Sequence, residues 1–387
     1  MPKKLQMPVF YIADWDFISQ LEFLLYTLYD YTFKLIENKE TVMTGRMKAL
    51  RKIQAGPGLE MREIPIPKIK ANEVLIKVHK RAICGTDLHI YKWDEWSQNR
   101  LKPPLTTGHE FYGAIVETGH DVRHYRVGEL VTAEMHVVCN QCFQCRTGNA
   151  HLCENVIILG VDGDGCFADY LAVPESNLWR VPKTIDPELA AIYDPFGNAV
   201  HTVMAGVTVG KSFLILGGGP IGIAAVPVCK AAGASMVLVS EVMPFRRELA
   251  LKMGADRVID PTLENLPEIV ATMTGGQGMD VVLEMSGHPA AIAQGFRSIR
   301  KNGRFSLLGI PAKPITLDFA KDIIFPGVTV QGINGRRMFD TWYQMDALLV
   351  SGKVDLKPLI THRFQMADFQ AAFEVGLSGN AGKIILE

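Results

Sequence analysis

The stretch Phe213-Leu214-Ile215-Leu216-Gly217-Gly218-Gly219-Pro220-Ile221-Gly222 carries four apolar residues into a glycine turn, and the small-residue run Ile223-Ala224-Ala225 follows. It has G-x-G-x-x-G spacing in the strand–turn–helix setting of a dinucleotide-binding unit. Gly217 permits the tight turn, Gly219 lets a pyrophosphate approach the backbone, and Gly222 allows close packing of helix on strand. The helix N-terminus offers free N–H groups and a positive dipole end to phosphates. The next apolar strand leads, about 20 residues on, to Glu241, placed to bind the adenosine ribose 2′-hydroxyl and to repel a 2′-phosphate. This favours NAD over NADP. Arg246 and Arg247 lie close by and keep the alternative open, because an arginine can accept a 2′-phosphate.

Further apolar runs at 236–239, 281–283, 305–308 and 328–330 alternate with helical stretches such as 245–253. Fully apolar strands alternating with helices predict a doubly wound parallel sheet covered on both faces. Upstream, β-rich runs at 73–83 and 111–118 are separated by Gly- and Pro-punctuated turns, predicting an irregular, mostly β domain to about residue 180. From Phe339 the pattern is helical, and it ends in the β-like Lys383-Ile384-Ile385-Leu386. The expected fold class is α/β, a doubly wound Rossmann domain plus an irregular, mostly β domain.

The 387 residues, 48% of them hydrophobic, are enough for two or three domains with cores of their own and exclude disorder. A net charge of −1 argues against a nucleic-acid or membrane-surface partner, which calls for a basic excess. No run reaches the roughly 18 uncharged apolar residues that span a bilayer. Residues 1–46 differ in texture, with nine aromatics and one glycine, Gly45. Acidic residues interrupt their apolar runs, which fits neither a secretory signal nor a transit peptide. Residues 17–36 could form an amphipathic helix. The leader is expected to be an appendage or an upstream-start artefact, with a domain opening at Met47.

Seven cysteines are unevenly spread, and four fall within fifteen residues: Cys139, Cys142, Cys145 and Cys153. Without a signal peptide this predicts metal chemistry in a reducing, cytoplasmic setting, with Cys166 and Cys229 as buried thiols. Four thiolates close a tetrahedral zinc shell and leave no open position, which defines a structural site. A ferredoxin-type iron–sulfur run would bring the fourth cysteine sooner and follow it with proline, whereas here Glu154 follows. A second constellation joins Cys84-Gly85-Thr86-Asp87-Leu88-His89 to Gly108-His109-Glu110. Thiolate, imidazole and carboxylate suit a zinc with room for a substrate oxygen.

Together these motifs resemble the zinc-dependent medium-chain alcohol dehydrogenase family over almost all of 47–387. The resemblance implies a GroES-like catalytic domain at 47–198 completed by 339–387, and an NAD-binding Rossmann domain at 199–338. Closer still, His89-Ile90-Tyr91-Lys92-Trp93-Asp94-Glu95-Trp96-Ser97, Asp194-Pro195-Phe196-Gly197-Asn198-Ala199-Val200 and Gly335-Arg336-Arg337-Met338-Phe339 resemble the branch acting on L-threonine. It implies two zinc ions per chain, with Cys84, His109 and Glu110 on the catalytic one and the four clustered cysteines on the structural one. Asp194 matches an acid beside the catalytic metal, either ligand or neighbour. Thr86 and His89 match a proton-relay pair, and His136 a residue of substrate discrimination. Ile221, Glu241, Arg246, Leu308, Gly309, Ile310, Ile333 and Asn334 match NAD contacts, joining Gly217, Gly219 and Gly222.

The implied reaction is oxidation of L-threonine to 2-amino-3-oxobutanoate, with a polyol or 2,3-butanediol as the rival substrate. The amino acid needs polar partners, for which His136 and Glu110 are candidates and Arg336 a further one for the carboxylate. Family analogy implies a homotetramer. A relative that kept the fold only as a binding protein would have lost catalytic ligands, and all three are present.

Overall fold

The computed structural model describes residues 45–387, so the helix expected at 17–36 lies outside the described residues. Six strands form an all-parallel sheet in the spatial order Arg257–Ile259, Met236–Ser240, Ser212–Leu216, Met279–Glu284, Ile299–Leu307, Thr329–Gly332. The chain winds outward one way from Ser212–Leu216 and then the other way from Met279–Glu284. A crevice therefore opens beyond the carboxyl ends of these two strands, where such sheets bind ligands. Ser212–Leu216 is buried along its whole length, the outcome of having helices on both faces.

The other large sheet has the order Leu178–Arg180, Leu130–Ala133, Phe111–Thr118, Glu73–Ala82, Lys383–Leu386, Ile360–Phe364, with Tyr170–Pro174 also paired to Glu73–Ala82. The strands at 111–118 and 383–386 span the expected residues. The expected strand at 73–83 ends at Ala82; Ile83 keeps one bond to the neighbouring strand, its N–H donating to Ile384 O at 3.0 Å, before the chain enters the helix Gly85–Lys92. The last strand of the Rossmann half starts one residue later than expected, and the fifth begins at Ile299, upstream of its apolar run. The polar residues Arg300, Lys301 and Asn302 hide that start from a hydrophobicity reading.

Lys383–Leu386 runs antiparallel to Glu73–Ala82, with Ile385 opposite Ala82, so the far end of the chain lies beside the strand that leads into Cys84. The helix Tyr193–Met204 packs against Pro220–Ala231 on one side and Asp340–Val350 on the other. Tyr193, Phe196 and Trp342 are all at most 1% exposed in this shared core, each worth about 2 kcal/mol of burial. The first turn of Tyr193–Met204 thereby carries Asp194 to the edge of the β domain.

Candidate active site

Cys84 caps the helix Gly85–Lys92, and its N–H donates to Asp87 Oδ2 at 2.9 Å. His109 and Glu110 immediately precede Phe111–Thr118, the neighbour of Glu73–Ala82 in the sheet, and the register pairs Phe111 with Arg81. Pairing of the strands therefore brings the two sequence motifs to one place. The Cys84 thiol, a His109 nitrogen and a Glu110 oxygen lie within 4.8 Å of one another. His109 and Glu110 are buried. Glu110 Oε1, His109 Nδ1 and Asp87 Oδ1 are enclosed without hydrogen bonds, and the last two face each other at 3.9 Å. Buried unpaired polar atoms around a thiol fit a divalent ion of zinc's preferences.

Without the ion, burial opposes charge on His109, but the Cys84 and Asp87 charges outweigh it and raise its pKa well above the usual imidazole value. Burial pushes the Glu110 carboxyl up, against the pull of a group that sequence reasoning missed. That group is Lys383, whose Nζ lies 2.5 Å from Glu110 Oε2 and donates to Ile83 O at 2.7 Å. A lysine opening an otherwise apolar, buried strand was the available signal.

Asp194 stands outside this three-residue group. Its Oδ2 lies 2.6 Å from Arg336 Nη1. Arg336 is 2% exposed and also donates to both Glu134 oxygens, to Asp194 O and to Asn198 Oδ1. Its donors are thus committed inside the protein, which corrects the expectation that it meets the substrate carboxylate. Glu134, also missed, accepts Trp342 Nε1–H at 3.2 Å and pairs with His136 Nδ1 at 2.6 Å. Burial opposes its charge, yet Arg336 and then His136 outweigh burial and hold its carboxyl well below the usual range. His136, oriented in this way, borders a cavity of about 190 Å³ with His151, Asn334, Arg336 and Met338.

Thr86 and His89 share the helix Gly85–Lys92 one turn apart. Thr86 Oγ1 lies 3.8 Å from Cys84 Sγ, while His89 is exposed and pairs through Nδ1 with Asp94. The helix therefore links the buried ligand group to the surface.

In the lobe, the four thiols converge within 4.8 Å, and Cys139 Sγ lies 3.5 Å from Cys153 Sγ, unbonded. Backbone N–H groups of Gln141 and Cys142 bring the Cys139 thiol down to about 6. The Cys153 sulfur accepts from Cys139 N at 3.3 Å and from Asn155 N at 3.4 Å. Such a donor set is preorganised for thiolates on a tetrahedral metal. Cys166 and Cys229 are buried, as expected.

The cofactor candidates all follow carboxyl ends of the parallel strands. Gly217 has φ +95°, and a Cβ on Gly222 would lie 2.0 Å from Gly217 O. A Cβ on Gly219 would meet nothing within 4 Å, leaving the space a pyrophosphate requires. Glu241 Oε2 accepts Gly218 N–H at 2.7 Å and Oε1 accepts Met243 N–H at 2.8 Å, so the acid braces the glycine turn. Arg246 is half-buried with Nε unpaired, whereas Arg247 is tied to Asp260 at 2.8 Å. Ile221 opens the glycine-loop helix Pro220–Ala231. Leu308, Gly309 and the exposed Ile310 follow Ile299–Leu307, and Ile333 and Asn334 follow Thr329–Gly332. These residues fit a dinucleotide laid across the sheet.

Residues 70–183 match the alcohol dehydrogenase GroES-like domain, and residues 220–351 match the zinc-binding dehydrogenase domain. L-threonine 3-dehydrogenase of Caldanaerobacter subterraneus is 50% identical over 345 residues, covering 89% of this chain and 99% of that protein. The enzymes of that name from Bacillus subtilis and Pyrococcus horikoshii are 47% and 48% identical, with the same coverage. Among solved structures, 2R,3R-butanediol dehydrogenase of Bacillus subtilis superposes with a TM-score of 0.79 at 29% identity, covering 88% of this chain and 99% of that one. No helix among the described residues is long and apolar enough to cross a membrane. With both metal-binding groups assembled and 47–50% identity to these relatives over 89% of this chain and 99% of theirs, the chain belongs to the zinc-binding medium-chain alcohol dehydrogenase family, among its L-threonine 3-dehydrogenases.

Proposed function

We propose that this chain oxidises the β-hydroxyl of L-threonine, giving 2-amino-3-oxobutanoate with NAD+ as hydride acceptor. The reading is carried by one observation: a complete Cys84, His109, Glu110 group in a chain half identical to L-threonine 3-dehydrogenases along 99% of their length. When bound, zinc polarises the hydroxyl as a Lewis acid and NAD+ takes up the hydride.

The protein's own groups do the rest. Cys84, His109 and Glu110 hold the metal, and Arg336 keeps Asp194 beside it as a neighbouring negative charge. The Thr86 hydroxyl takes up the substrate's hydroxyl proton as it passes its own hydrogen on, and His89 gives a proton to water, a step suited to an imidazole. His136, locked by Glu134, faces the substrate's charged end. Gly217, Gly219 and Gly222 seat the pyrophosphate, and Glu241 with Arg246 takes the adenosine ribose. Ile221, Leu308, Gly309, Ile310, Ile333 and Asn334 line the remaining cleft. In this reading residues 47–198 with 339–387 form the catalytic domain and 199–338 the NAD domain, while 1–46 are dispensable. The protein works in the cytoplasm as a homotetramer.

NADH formation is to be measured with L-threonine, sorbitol and 2,3-butanediol, before and after chelation. Chelator-sensitive turnover on L-threonine is expected, and faster turnover on butanediol would replace this reading. Thr86→Val is expected to spare NAD binding and to slow turnover by about 100-fold. An unchanged rate would remove Thr86 from the proton path.

A further inference from the structure

We propose that Asp94 is a positioning residue for proton release. Its carboxylate fixes His89 in the tautomer protonated at Nδ1 and leaves Nε2 as the nitrogen that exchanges protons. The proposal rests on the reading of His89 as the exit of the proton path.

The local geometry is built for this pairing. Trp93 ends the helix Gly85–Lys92 in a left-handed conformation, φ 59° and ψ 47°, and its N–H donates back to His89 O at 2.9 Å. That reversal returns Asp94 to the side of His89. Asp94 then serves as N-cap of the helix Glu95–Arg100, with Oδ1 accepting both Ser97 N–H and Ser97 Oγ–H at 3.1 Å. One carboxylate oxygen is thus spent on the helix, and the other, Oδ2, is left for His89 Nδ1. The Trp96 ring stands 6.3 Å from the imidazole.

Among the described residues, Asp94 is the one charged group within ion-pairing distance of His89. Lys92 on its own helix, Glu95 on the next, Lys52 over the Trp93 ring and Glu374 on the helix packed alongside form no ion pair with it. Partial burial opposes the Asp94 charge, but the Ser97 amide and then His89 hold the carboxyl below its usual range. The carboxylate therefore stays ionised while the imidazole cycles.

The proton count closes. Nδ1 keeps its hydrogen throughout, donating it to Asp94. Nε2 takes up the proton released at the Thr86 end, which makes the ring an imidazolium beside a carboxylate. Nε2 then gives one proton to water, and the ring is neutral again in the same tautomer. A carboxylate on Nδ1 both selects this tautomer and favours the charged form.

The test is nitrogen NMR of the His89 ring in the full chain, together with the pH profile of kcat on L-threonine. Asp94→Asn keeps a good helix cap and removes the charge. It is expected to move the ring population toward the Nε2–H tautomer. The acidic limb of the kcat profile is expected to move toward lower pH. Ser97→Ala, which removes the hydroxyl bond to Asp94 Oδ1 but keeps the backbone cap and the carboxylate's charge, is expected to move neither the tautomer nor the profile. An unchanged tautomer and an unchanged kcat profile in Asp94→Asn would overturn the proposal. His89→Gln separates it from the reading beneath: if that variant leaves the profile unchanged, the proton-exit reading falls and the proposal with it. If His89→Gln shifts the profile and Asp94→Asn does not, only the proposal falls.

Discussion

The two cysteine-bearing centres recruit their ligands over different lengths of chain. The lobe takes all four from residues 139–153, and the amides that donate to its sulfurs come from the same loop. Its one α-helix, Phe143–Arg146, buries no residue, and Phe143 is 70% exposed. With so little apolar burial, a metal ion does the work of a core there. The Cys84, His109 and Glu110 group is assembled instead by pairing of strands, and a lysine 300 residues beyond Ile83 completes it. The first centre is a folding device that happens to bind metal, the second a product of the fold.

That contrast can be broken by removing one ligand from each. Cys84→Ser is expected to cut turnover on the order of 1,000-fold, since several kcal/mol of transition-state stabilisation goes with the metal. Bound zinc should fall from about two to about one per chain while the melting temperature barely moves. Cys145→Ser should do the reverse, lowering the melting temperature by more than about 10 °C with kcat of the folded fraction close to the parent's. If both variants lost stability equally, the two centres would not differ in kind.

A subtler variant sharpens the point. Lys383→Met leaves the Glu110 carboxylate buried without its ammonium, a change expected to destabilise the metal-free protein by about 3 kcal/mol. The zinc-loaded protein should lose less, because the ion supplies a second cation to the same carboxylate. Denaturant melts with and without zinc read the difference. The smallest effect is expected at the glycine turn, where Glu241→Ala removes a brace and a ribose partner together. KM for NAD should rise about tenfold, with preference shifting toward NADP, as follows from losing one charge-assisted hydrogen bond.

The same contrast decides what could be read from the residues alone. The glycine turn and the four cysteines lie in short stretches, so spacing carries their geometry. Alternating apolar runs likewise announced the strands at 111–118 and 383–386. Glu134, Arg336 and Lys383 have no such spacing. Each is one charged residue among many, and its meaning comes from a partner delivered by the tertiary fold: Glu134 with Arg336 across 202 residues, Lys383 with Ile83 across 300. Arg336 is the instructive case. An arginine in a family-specific stretch invited a substrate role, yet its donors are committed to Glu134, Asp194 and Asn198, which makes it part of the frame.

Insertion of Lys383–Leu386 between Glu73–Ala82 and Ile360–Phe364 has a consequence for biosynthesis. When Cys84, His109, Glu110 and all four lobe cysteines have left the ribosome, the strand that flanks Glu73–Ala82 and the ammonium facing Glu110 are still to be made. A nascent chain can thus acquire its lobe metal early but cannot finish its catalytic pocket until translation has passed Lys383. Interrupted chains are expected to bind the lobe metal and remain inert. A translation time course is expected to show metal uptake well before the first turnover.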